Sequence, residues 1–548
     1  MINWFFRQIN KLGLYRLHDY IQPFDTKITL DWRDLIVMII LGMCGYYTRL
    51  YNVQYPSSLV FDERHFGNFT NGYITHNFFY DIHPPFAKLQ FAFFDWLQEY
   101  DGSIFFGSGE DRSYRDENYI TLRMTCVMYS SLVPCTIYLA MRTALFSRVA
   151  AFTSGFLISV ETSMIGEGKY IYTDGTLHFY TMFSMIFINL FLSKEPRTKE
   201  WYIWMRIASI FISFAFSIKN TALSLLILIM YTQAVEIIEF RTYKLDIKII
   251  PEVICRGWSI FWPSLAVHYA IWVVHFIIIP YGTKDTRDYE WTFYGLIDRK
   301  RSNETDIMKW VRRPPLLNRI FLSIATAYFF NGINFEPHHC MTRPIDWPLL
   351  RDKCIVYIVS WHQPSLYCCG NYFVYIMTFC GVILSMLCFW SKKKFPLAMR
   401  FIVGYWVSYL PFFGVPRTMF LYHYHIPLMF AACCVGCVLD LLFEKRRFWK
   451  GFFAICIVFT AFVGYMILNP FVYGRKHANR DWRLLNKNWR DGKPGREKFE
   501  KLMRLKADAI KADDDEMNQQ VKSPNATNST NILVKKRKWL QRQSERNE

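Results

Sequence analysis

Residues 418–441 read TMFLYHYHIPLMFAACCVGCVLDL. Two tyrosines and two histidines open this block, and its only charged side chain is that of Asp440. A transmembrane helix needs about 20 mostly apolar residues to cross about 30 Å of hydrocarbon. A soluble core needs amphipathic periodicity instead, which this block lacks. The block therefore predicts a membrane-spanning helix.

Ten further apolar blocks occur along the 548 residues. They lie near residues 34–50, 119–142, 148–165, 175–193, 201–217, 220–238, 257–280, 372–390, 398–414 and 450–469. The fifth and sixth of all the blocks are separated only by a short segment around Lys219, so one re-entrant hairpin would give the same pattern. Charged segments between the blocks explain a chain that is 52% hydrophobic and 20% charged. We predict an all-α polytopic membrane protein with about eleven transmembrane helices.

Basic residues predict the direction of the chain, because Lys and Arg near span ends stay on the cytoplasmic side. They occupy every second connection, which places the N-terminal segment 1–33 in the cytosol and the C-terminus on the lumenal side. The basic residues are Arg7, Lys11, Arg16, Lys27, Arg33, Arg142, Arg148, Lys194, Arg197, Lys199, Arg241, Lys244, Lys248, Lys392, Lys393, Lys394, Arg400, Lys445, Arg446, Arg447 and Lys450. The first 30 residues lack the pattern of a cleavable signal peptide, so we expect the first span to direct insertion.

Two long loops and a tail fall on the lumenal side. The loops cover about 51–118 and 281–371 within a transmembrane domain at 34–473. The tail, 474–548, has 20 Lys/Arg against 11 Asp/Glu from residue 475 onward, about half of the net charge of +19. Its composition predicts a solvated, partly disordered segment. A lumenal tail conflicts with nucleic-acid binding by its basic run at 535–538, so we predict no nucleic-acid partner.

Sequons and cysteines agree with a lumenal assignment of these segments. N-glycosylation sequons begin at Asn68, Asn303, Asn525 and Asn528. An oxidising lumen allows disulfides among the cysteines of the second loop. These are Cys340, Cys354, Cys368 and Cys369.

The first lumenal loop holds the densest set of ionisable residues. It reads FDERHFG at 61–67 and DIHPPFAK at 81–88. Asp62 and Glu63 follow a span directly, where a carboxylate can act as a general base on a lipid-borne substrate. Asp62 capping a short interfacial helix is an equally good interpretation. Adjacent residues point apart on a helix, so the two carboxylates would take different roles.

Three charged residues near span ends have two interpretations each. Arg123 either holds a phosphate bidentately or extends to the interface. Lys219 has the same ambiguity. Asp174, before the fourth span, either binds an arginine or an acceptor group or caps its helix.

Two later segments carry histidines beside aromatic residues. Residues 338–350 include His338 and Trp347, and an indole can stack on a pyranose face, although interfacial tryptophans are common. In the quoted block, an aromatic belt explains Tyr424 better than it explains His423. A metal site at residues 338–340 lacks a second pair of ligands, so we predict no metal.

At these motifs the chain resembles the protein O-mannosyltransferases, membrane enzymes of the C-type glycosyltransferase fold. The family has Asp-Glu with His-Phe-Gly and then Asp-x-His-Pro-Pro-x-x-Lys in the first lumenal loop, matched at 62–67 and 81–88. An arginine early in the second span matches Arg123. The later His-x-x-x-Ser/Thr-x-Pro-x-x-Trp-Pro, Gly-Asn and Leu-x-His-Tyr-x-Pro patterns match or resemble 338–348, 370–371 and 421–427.

The resemblance implies inverting transfer of mannose from dolichyl phosphate mannose to Ser or Thr hydroxyls of secretory-pathway proteins, without a cofactor. Asp62 would be the base, Glu63 would orient the acceptor, and Arg123 would hold the donor phosphate. His338 and Trp347 would lie near the donor. The supporting site residues would be Asp81, His83, Lys88, His423 and Tyr424.

The family also implies an endoplasmic reticulum membrane location and a homodimer or a heterodimer with another member. The chain departs from the family in one respect, because its second loop is too short for the family's MIR domain. The set of acceptor proteins therefore does not follow from the resemblance. The alternatives are another C-type enzyme that uses a lipid-linked sugar, or a noncatalytic subunit of such a complex. We expect the Asn68 sequon to stay unmodified, because a glycan there would obstruct the site.

Overall fold

The computed structural model describes residues 28–107, 113–114, 117–240, 247, 249–281, 315–333, 338, 340–351, 355–358, 366–391, 394–415 and 417–475. The α-helices are α1 (Trp32–Leu50), α2 (Glu63–Ile74), α3 (Phe86–Leu97), α4 (Asn118–Thr143), α5 (Arg148–Ser159), α6 (Thr162–Lys169), α7 (Asp174–Leu192), α8 (Lys199–Phe216), α9 (Ser224–Phe240), α10 (Ile249–Ile278), α11 (Leu316–Ile333), α12 (Tyr372–Leu387), α13 (Phe395–Tyr409), α14 (His425–Phe443) and α15 (Arg447–Tyr473). Short 3₁₀ helices occupy Asn220–Leu223, Pro344–Leu349, Leu410–Gly414 and Leu421–Tyr424. The expected segments 1–33 and 474–548 lie almost wholly outside these residues.

Within the described ranges, six helices are long and apolar enough to cross a membrane. They cover Asn118–Thr143, Asp174–Leu192, Asn220–Ile238, Ile249–Ile278, Leu421–Phe443 and Arg447–Tyr473. The pair α5 and α6, bent by 60° at its break, would make a seventh span. Helices occupy all eleven expected positions. Helices α1 and α8 carry too many charged residues to be counted among the membrane-spanning helices, and α12 and α13 are too short to be counted. The chain is a mostly helical multi-pass membrane protein, and the number eleven stays a prediction.

The helices pack around α4 and α14. Helix α4 contacts α1, α5 and α7, and α14 contacts α5, α12 and α13. Helix α14 is buried almost throughout, as expected for a helix that is apolar on every face. Helices α8 and α9 have different main neighbours, because α8 packs on α7 and α10 whereas α9 packs on α13.

Buried polar groups close the break between α5 and α6. The Glu161 carboxylate accepts hydrogen bonds from the backbone N–H groups of Met164, at 2.7 Å, and Asn371, at 3.0 Å. Arg49 donates to the carbonyl of Ser159, near the end of α5, at 3.0 Å. Backbone groups inside a membrane need such partners, because no water is available to them. These hydrogen bonds therefore stabilise the break between the two helices.

The second long loop contains regular structure that the sequence did not predict. Helix α11 packs on α10, where Ile320 joins a cluster with Trp272 and Phe276. The strands β1 (Ile355–Ile358) and β2 (Leu366–Cys368) form an antiparallel pair. The expected all-α fold therefore carries one small sheet.

The loop cysteines lie close to the membrane helices. Cys368 is buried and its thiol donates to the Glu167 carboxylate at 3.4 Å, while Cys340 lies in the same apolar cluster as Cys368. Cys369 is also buried as a thiol. The fourth expected cysteine, Cys354, lies outside the described residues. Disulfide formation among them stays a prediction.

Candidate functional site

Asp62 lies directly before α2, but it does not cap that helix. Its side chain makes no hydrogen bond or ion pair in the part of the chain that the structure describes. The capping interpretation is therefore wrong. Burial raises the pKa of the half-buried Asp62 carboxyl, and the negative charges of Asp174 and Asp81 add to this effect, whereas His65 and Lys219 oppose it. A carboxylate without partners and with a raised pKa is a suitable proton acceptor.

The backbone immediately before Asp62 is strained. Phe61 has a φ of 43°, in the left-handed region that bulky residues rarely adopt. Its ring contacts His338 and Phe420 edge-on, with ring centroids 5.9 and 5.7 Å away. This packing places His338 beside the turn that holds Asp62. His338 is not among the residues that line the cavity described below, so its expected place near the donor stays a prediction. Residue His339 lies outside the described residues.

Glu63 and Arg123 form a buried ion pair with each other. Arg123 Nε donates to one Glu63 oxygen and Nη2 to the other, both at 2.8 Å. The remaining N–H groups of Arg123 bond to the carbonyls of Val53, Pro56 and Ser58 at 2.8 to 3.2 Å. A guanidinium has five N–H donors, and all five are used. The arrangement does not match the expected roles of Arg123 as a phosphate ligand and of Glu63 as an acceptor ligand.

The second motif of the first loop is tied together by Lys88. Its ammonium forms an ion pair with Asp81 and donates to the carbonyl of His83 at 2.8 Å. Burial acts to raise the pKa of Asp81, but Lys88 and His83 outweigh burial and lower it. Burial lowers the pKa of His83 to about 3, so its imidazole is neutral near pH 7. Three of the five expected supporting residues, Asp81, His83 and Lys88, thus lie together.

His83 lines a cavity of about 410 Å³ that reaches between the membrane helices. One part of the wall is polar or charged and includes Asp174, Lys219, Arg417 and His423. The remaining wall is largely apolar. It includes Leu177, Leu223, Ile227, Val407, Phe412 and Ile426. A cavity of this composition can hold a charged headgroup and part of an apolar chain.

Lys219 is the best-placed cation of the cavity. Its ammonium donates to both carboxylate oxygens of Asp174, at 2.9 and 2.7 Å, and lies 5.3 Å from the centre of the Tyr422 ring. Asn220 and Thr221, which also line the cavity, begin the 3₁₀ turn that leads into α9. Asp62 does not line the cavity, but its carboxyl is within electrostatic range of Lys219 and Asp174. The charges of Lys219 and Asp174 therefore act on the Asp62 carboxyl.

Trp347 and Tyr424 lie behind the cavity wall. Trp347 is buried, its indole N–H donates to Thr342 Oγ1 at 2.8 Å, and its ring stacks on His423. The buried hydroxyl of Tyr424 lies 3.1 Å from that of Tyr405. Neither ring presents a face to a ligand, so the expected stacking of Trp347 on a sugar does not match this arrangement. Of these residues, only His423 lines the cavity.

Sequence reasoning underrated the cations of this cavity. The sequence leaves Lys219 with the same two interpretations as Arg123 and assigns no role to Arg417, because their distance in sequence hides their common cavity. Among the residues that the structure describes, no group of three His, Cys, Asp or Glu side chains is arranged to hold a metal ion.

Two family profiles match the chain. One, described as "Dolichyl-phosphate-mannose-protein mannosyltransferase", matches residues 39–283, and the other, "C-terminal four TMM region of protein-O-mannosyltransferase", matches 319–491. Together they cover more than half of the chain. The chain belongs to the protein O-mannosyltransferase family. The resemblance seen in the motifs is thereby confirmed.

Individual O-mannosyltransferases match over shorter stretches. Dolichyl-phosphate-mannose–protein mannosyltransferase 4 of Schizosaccharomyces pombe is 32% identical over 192 residues, which are 34% of this chain and 24% of that protein. Mannosyltransferase 3 of Saccharomyces cerevisiae is 34% identical over 194 residues, 35% of this chain and 26% of that protein. The matched part thus spans about a quarter of these relatives.

The fold agrees with a solved O-mannosyltransferase structure. A chain of the S. cerevisiae Pmt1-Pmt2 complex bound to the sugar donor superposes with a TM-score of 0.73 at 14% identity. The match covers 87% of this chain and 94% of that chain. The chain therefore has the C-type glycosyltransferase fold expected from its motifs.

Proposed function

We propose that the chain transfers mannose from dolichyl phosphate mannose to Ser or Thr hydroxyls of proteins. One observation supports this most: the Asp62 carboxylate has no partner among the described residues, and it interacts electrostatically with Lys219 and Asp174 of a cavity wall. This cavity has cations at its polar part and apolar side chains elsewhere. A lipid-linked sugar phosphate has the complementary chemistry. Membership in the O-mannosyltransferase family supports the identity of the sugar and the lipid.

The donor phosphate would bind between Lys219 and Arg417. An ammonium and a guanidinium both favour a phosphate, and the guanidinium can bind it with two parallel hydrogen bonds. The start of the helical segment at Asn220 adds backbone N–H groups on the same wall. The dolichyl chain would then follow the apolar wall past Ile227 and Val407. This assignment replaces Arg123 as the donor-binding arginine.

The reaction proceeds by displacement at the anomeric carbon of mannose. The acceptor hydroxyl oxygen forms a bond to this carbon while the bond from the carbon to the phosphate oxygen breaks. Asp62 takes the hydroxyl proton, since an alcohol is a weak nucleophile until a base accepts its proton. The electron pair of the broken bond stays on dolichyl phosphate, whose charge Lys219 and Arg417 stabilise. Attack opposite the phosphate inverts the anomeric carbon.

Glu63, Arg123 and Trp347 would position the reacting groups without touching them. The ion pair between Glu63 and Arg123 joins α2 to α4 and holds the carbonyls of the segment before Asp62. Trp347 supports the His423 ring at the cavity wall. Their loss would act through the position of Asp62 or His423.

The protein would act in the endoplasmic reticulum membrane with Asp62 on the lumenal side. The basic connections support this orientation, which leaves the N-terminus in the cytosol and the C-terminus in the lumen. A dimer with another family member is supported by the solved Pmt1-Pmt2 complex. The division into segments 1–33, 34–473 and 474–548 belongs to the same proposal.

The test is transfer of labelled mannose from dolichyl phosphate mannose to a peptide rich in Ser and Thr. Membranes would contain the wild-type chain, Asp62→Asn or Asp101→Asn, each with and without a candidate partner subunit. Asp101 lies in the same loop, but it is exposed, and its carboxylate accepts a hydrogen bond from Ser103 N at 2.9 Å. We expect Asp62→Asn to abolish transfer and Asp101→Asn to retain it.

Equal transfer by wild type and Asp62→Asn in every combination would refute the catalytic proposal. The chain would then be better described as a noncatalytic subunit of a transferase complex. Expression and detergent-extracted yield of each variant would be measured in parallel, so that a folding defect is recognised.

A further inference from the structure

A second apolar groove lies on the outer surface of the helices, away from the proposed catalytic cavity. It has a volume of about 640 Å³ and runs between α1, α5 and α15. Its α15 wall is formed by Gly451, Ala454, Ile455, Val458, Phe459 and Phe462. Val149, Phe152 and Phe156 of α5 and Val37 of α1 form the other side. These positions recur every three or four residues, so each wall is a continuous stripe along its helix.

Both long walls have an arginine at the same end. Arg148 lines the groove at the start of α5, where it is paired with Asp31 and Asp34 at 2.5 and 3.2 Å. Arg447 starts α15 and lies four residues before Gly451, so it continues the same helical stripe. Arg447 is exposed and forms no ion pair with a described residue. Because Asp31 and Asp34 neutralise Arg148, the positive charge that has no ion pair among the described residues at this end comes from Arg447, and the remainder of the groove is apolar.

We propose that this groove binds an anionic glycerophospholipid, with its phosphate at Arg447 and one acyl chain along the groove. The positive charge supports this occupant, because Lys445 and Arg446 beside Arg447 are also exposed and without ion pairs among the described residues. A basic segment at a membrane surface attracts anionic lipids. The proposal does not depend on the proposed transferase activity.

The dimensions of the groove suit an acyl chain. From Arg447 to Phe462 a helix rises by about 22 Å. One leaflet contributes about 15 Å to the hydrocarbon core, so this distance accommodates a phosphate together with a chain that crosses the leaflet. Gly451 keeps the groove open near the phosphate, because a Cβ built on it meets no atom within 4 Å.

The glycine provides a specific way to fill the groove. Gly451→Leu adds a side chain to open space and so blocks the lipid without an internal clash. Gly257 on α10 is the matched control, since a Cβ there also meets no atom within 4 Å and the residue lies outside the groove. Arg447→Gln removes the proposed phosphate ligand, and Arg446→Gln is its neighbouring charge control.

Native mass spectrometry of the full-length chain in detergent, with equal amounts of phosphatidylserine and phosphatidylcholine, tests the proposal. We expect the wild type and Gly257→Leu to retain phosphatidylserine in preference to phosphatidylcholine, and Gly451→Leu to lose it. Arg447→Gln should weaken phosphatidylserine binding about fivefold, more than Arg446→Gln does. Size-exclusion profiles would confirm that each variant is folded.

Three results would overturn the proposal. Equal retention of the two lipids by the wild type would show that the lipid charge does not contribute to binding. Unchanged phosphatidylserine retention in both Gly451→Leu and Arg447→Gln would place the lipid elsewhere. A change of oligomeric mass in Gly451→Leu, without a change in lipid, would identify the groove as a surface between protein chains.

Discussion

The Lys219 ammonium lies 2.7 Å from the nearer carboxylate oxygen of Asp174, in the wall of the cavity between the membrane helices. Asp174 thus holds the lysine in place in the absence of a donor. A phosphate that enters the cavity would meet an ammonium that is already positioned, so little side-chain entropy is lost on binding.

Lys219→Ala should reduce kcat/KM for the donor about 100-fold, because the departing phosphate loses a cation that stabilises its charge. The control is Lys194→Ala, since Lys194 pairs with the exposed Glu200 and lies outside the cavity. Transfer measured over a range of donor concentrations checks this. An unchanged kcat/KM in Lys219→Ala would mean that the phosphate binds elsewhere.

The pH dependence of transfer should report the ionisation of Asp62. Burial raises the pKa of this carboxyl above the usual value of about 3.9. A base acts only when ionised, so kcat/KM should fall as the pH drops through the raised pKa. Asp174→Asn removes a charge that raises this pKa, and we expect it to move the acidic limb to lower pH. An acidic limb at the ordinary value in the wild type would contradict the assignment.

Breaking the ion pair between Glu63 and Arg123 should destabilise the protein. Arg123→Ala or Glu63→Ala leaves a buried charge without its partner, at a cost of about 3–5 kcal/mol. The double variant should lose less than the sum of the two single losses, because it leaves neither charge behind. Thermal unfolding of the three variants in detergent measures this. Native stability with a raised KM for the donor would instead support the phosphate-binding role of Arg123.

Asp95 should make stability depend on pH. It is fully buried on α3, accepts a hydrogen bond from Thr125 at 3.3 Å, and its second oxygen has no partner among the described residues. Burial raises its pKa to about 7 although Thr125 opposes this. The unfolded chain releases the proton near pH 3.9, so stability should fall as the pH rises from about 4 to 7 and then level off.

Asp95→Asn, which resembles the protonated form, should abolish this part of the pH dependence. At pH 8 it should stabilise the protein by on the order of 2–4 kcal/mol. Unfolding temperatures of the wild type and the variant between pH 5 and pH 8 give the comparison. A wild-type stability that rises over this range would show that other groups dominate.

Local composition was enough to predict most of the helices. Long apolar blocks are visible in any short window of sequence, so a helix occurs at each of the eleven expected positions. Helix α11 was missed because Arg319 interrupts its apolar pattern, although the folded chain buries this side chain against Phe276. Whether a charged side chain such as that of Arg319 is buried depends on tertiary packing, which cannot be seen in the local sequence.

Part of the candidate site could also be predicted from local sequence, and part of it could not. The motifs of the first loop indicate Asp62, whose role stays a proposal, and Asp81, His83 and Lys88 do form one cluster. The partners of Arg123 were not predictable, because five acceptors from α2 and the preceding segment converge on it only after folding. Conversely, Lys219 and Arg417 gain a common role only from the packing of distant helices.

The cavity draws its walls from residues as distant in sequence as His83 and Ile426. During synthesis, Asp62 therefore emerges long before Arg417, the last of the cations. A nascent chain that has inserted only its first half already contains the proposed base but lacks part of the charge that would bind the donor. The competence to transfer sugar would then arise only at a late stage of membrane insertion.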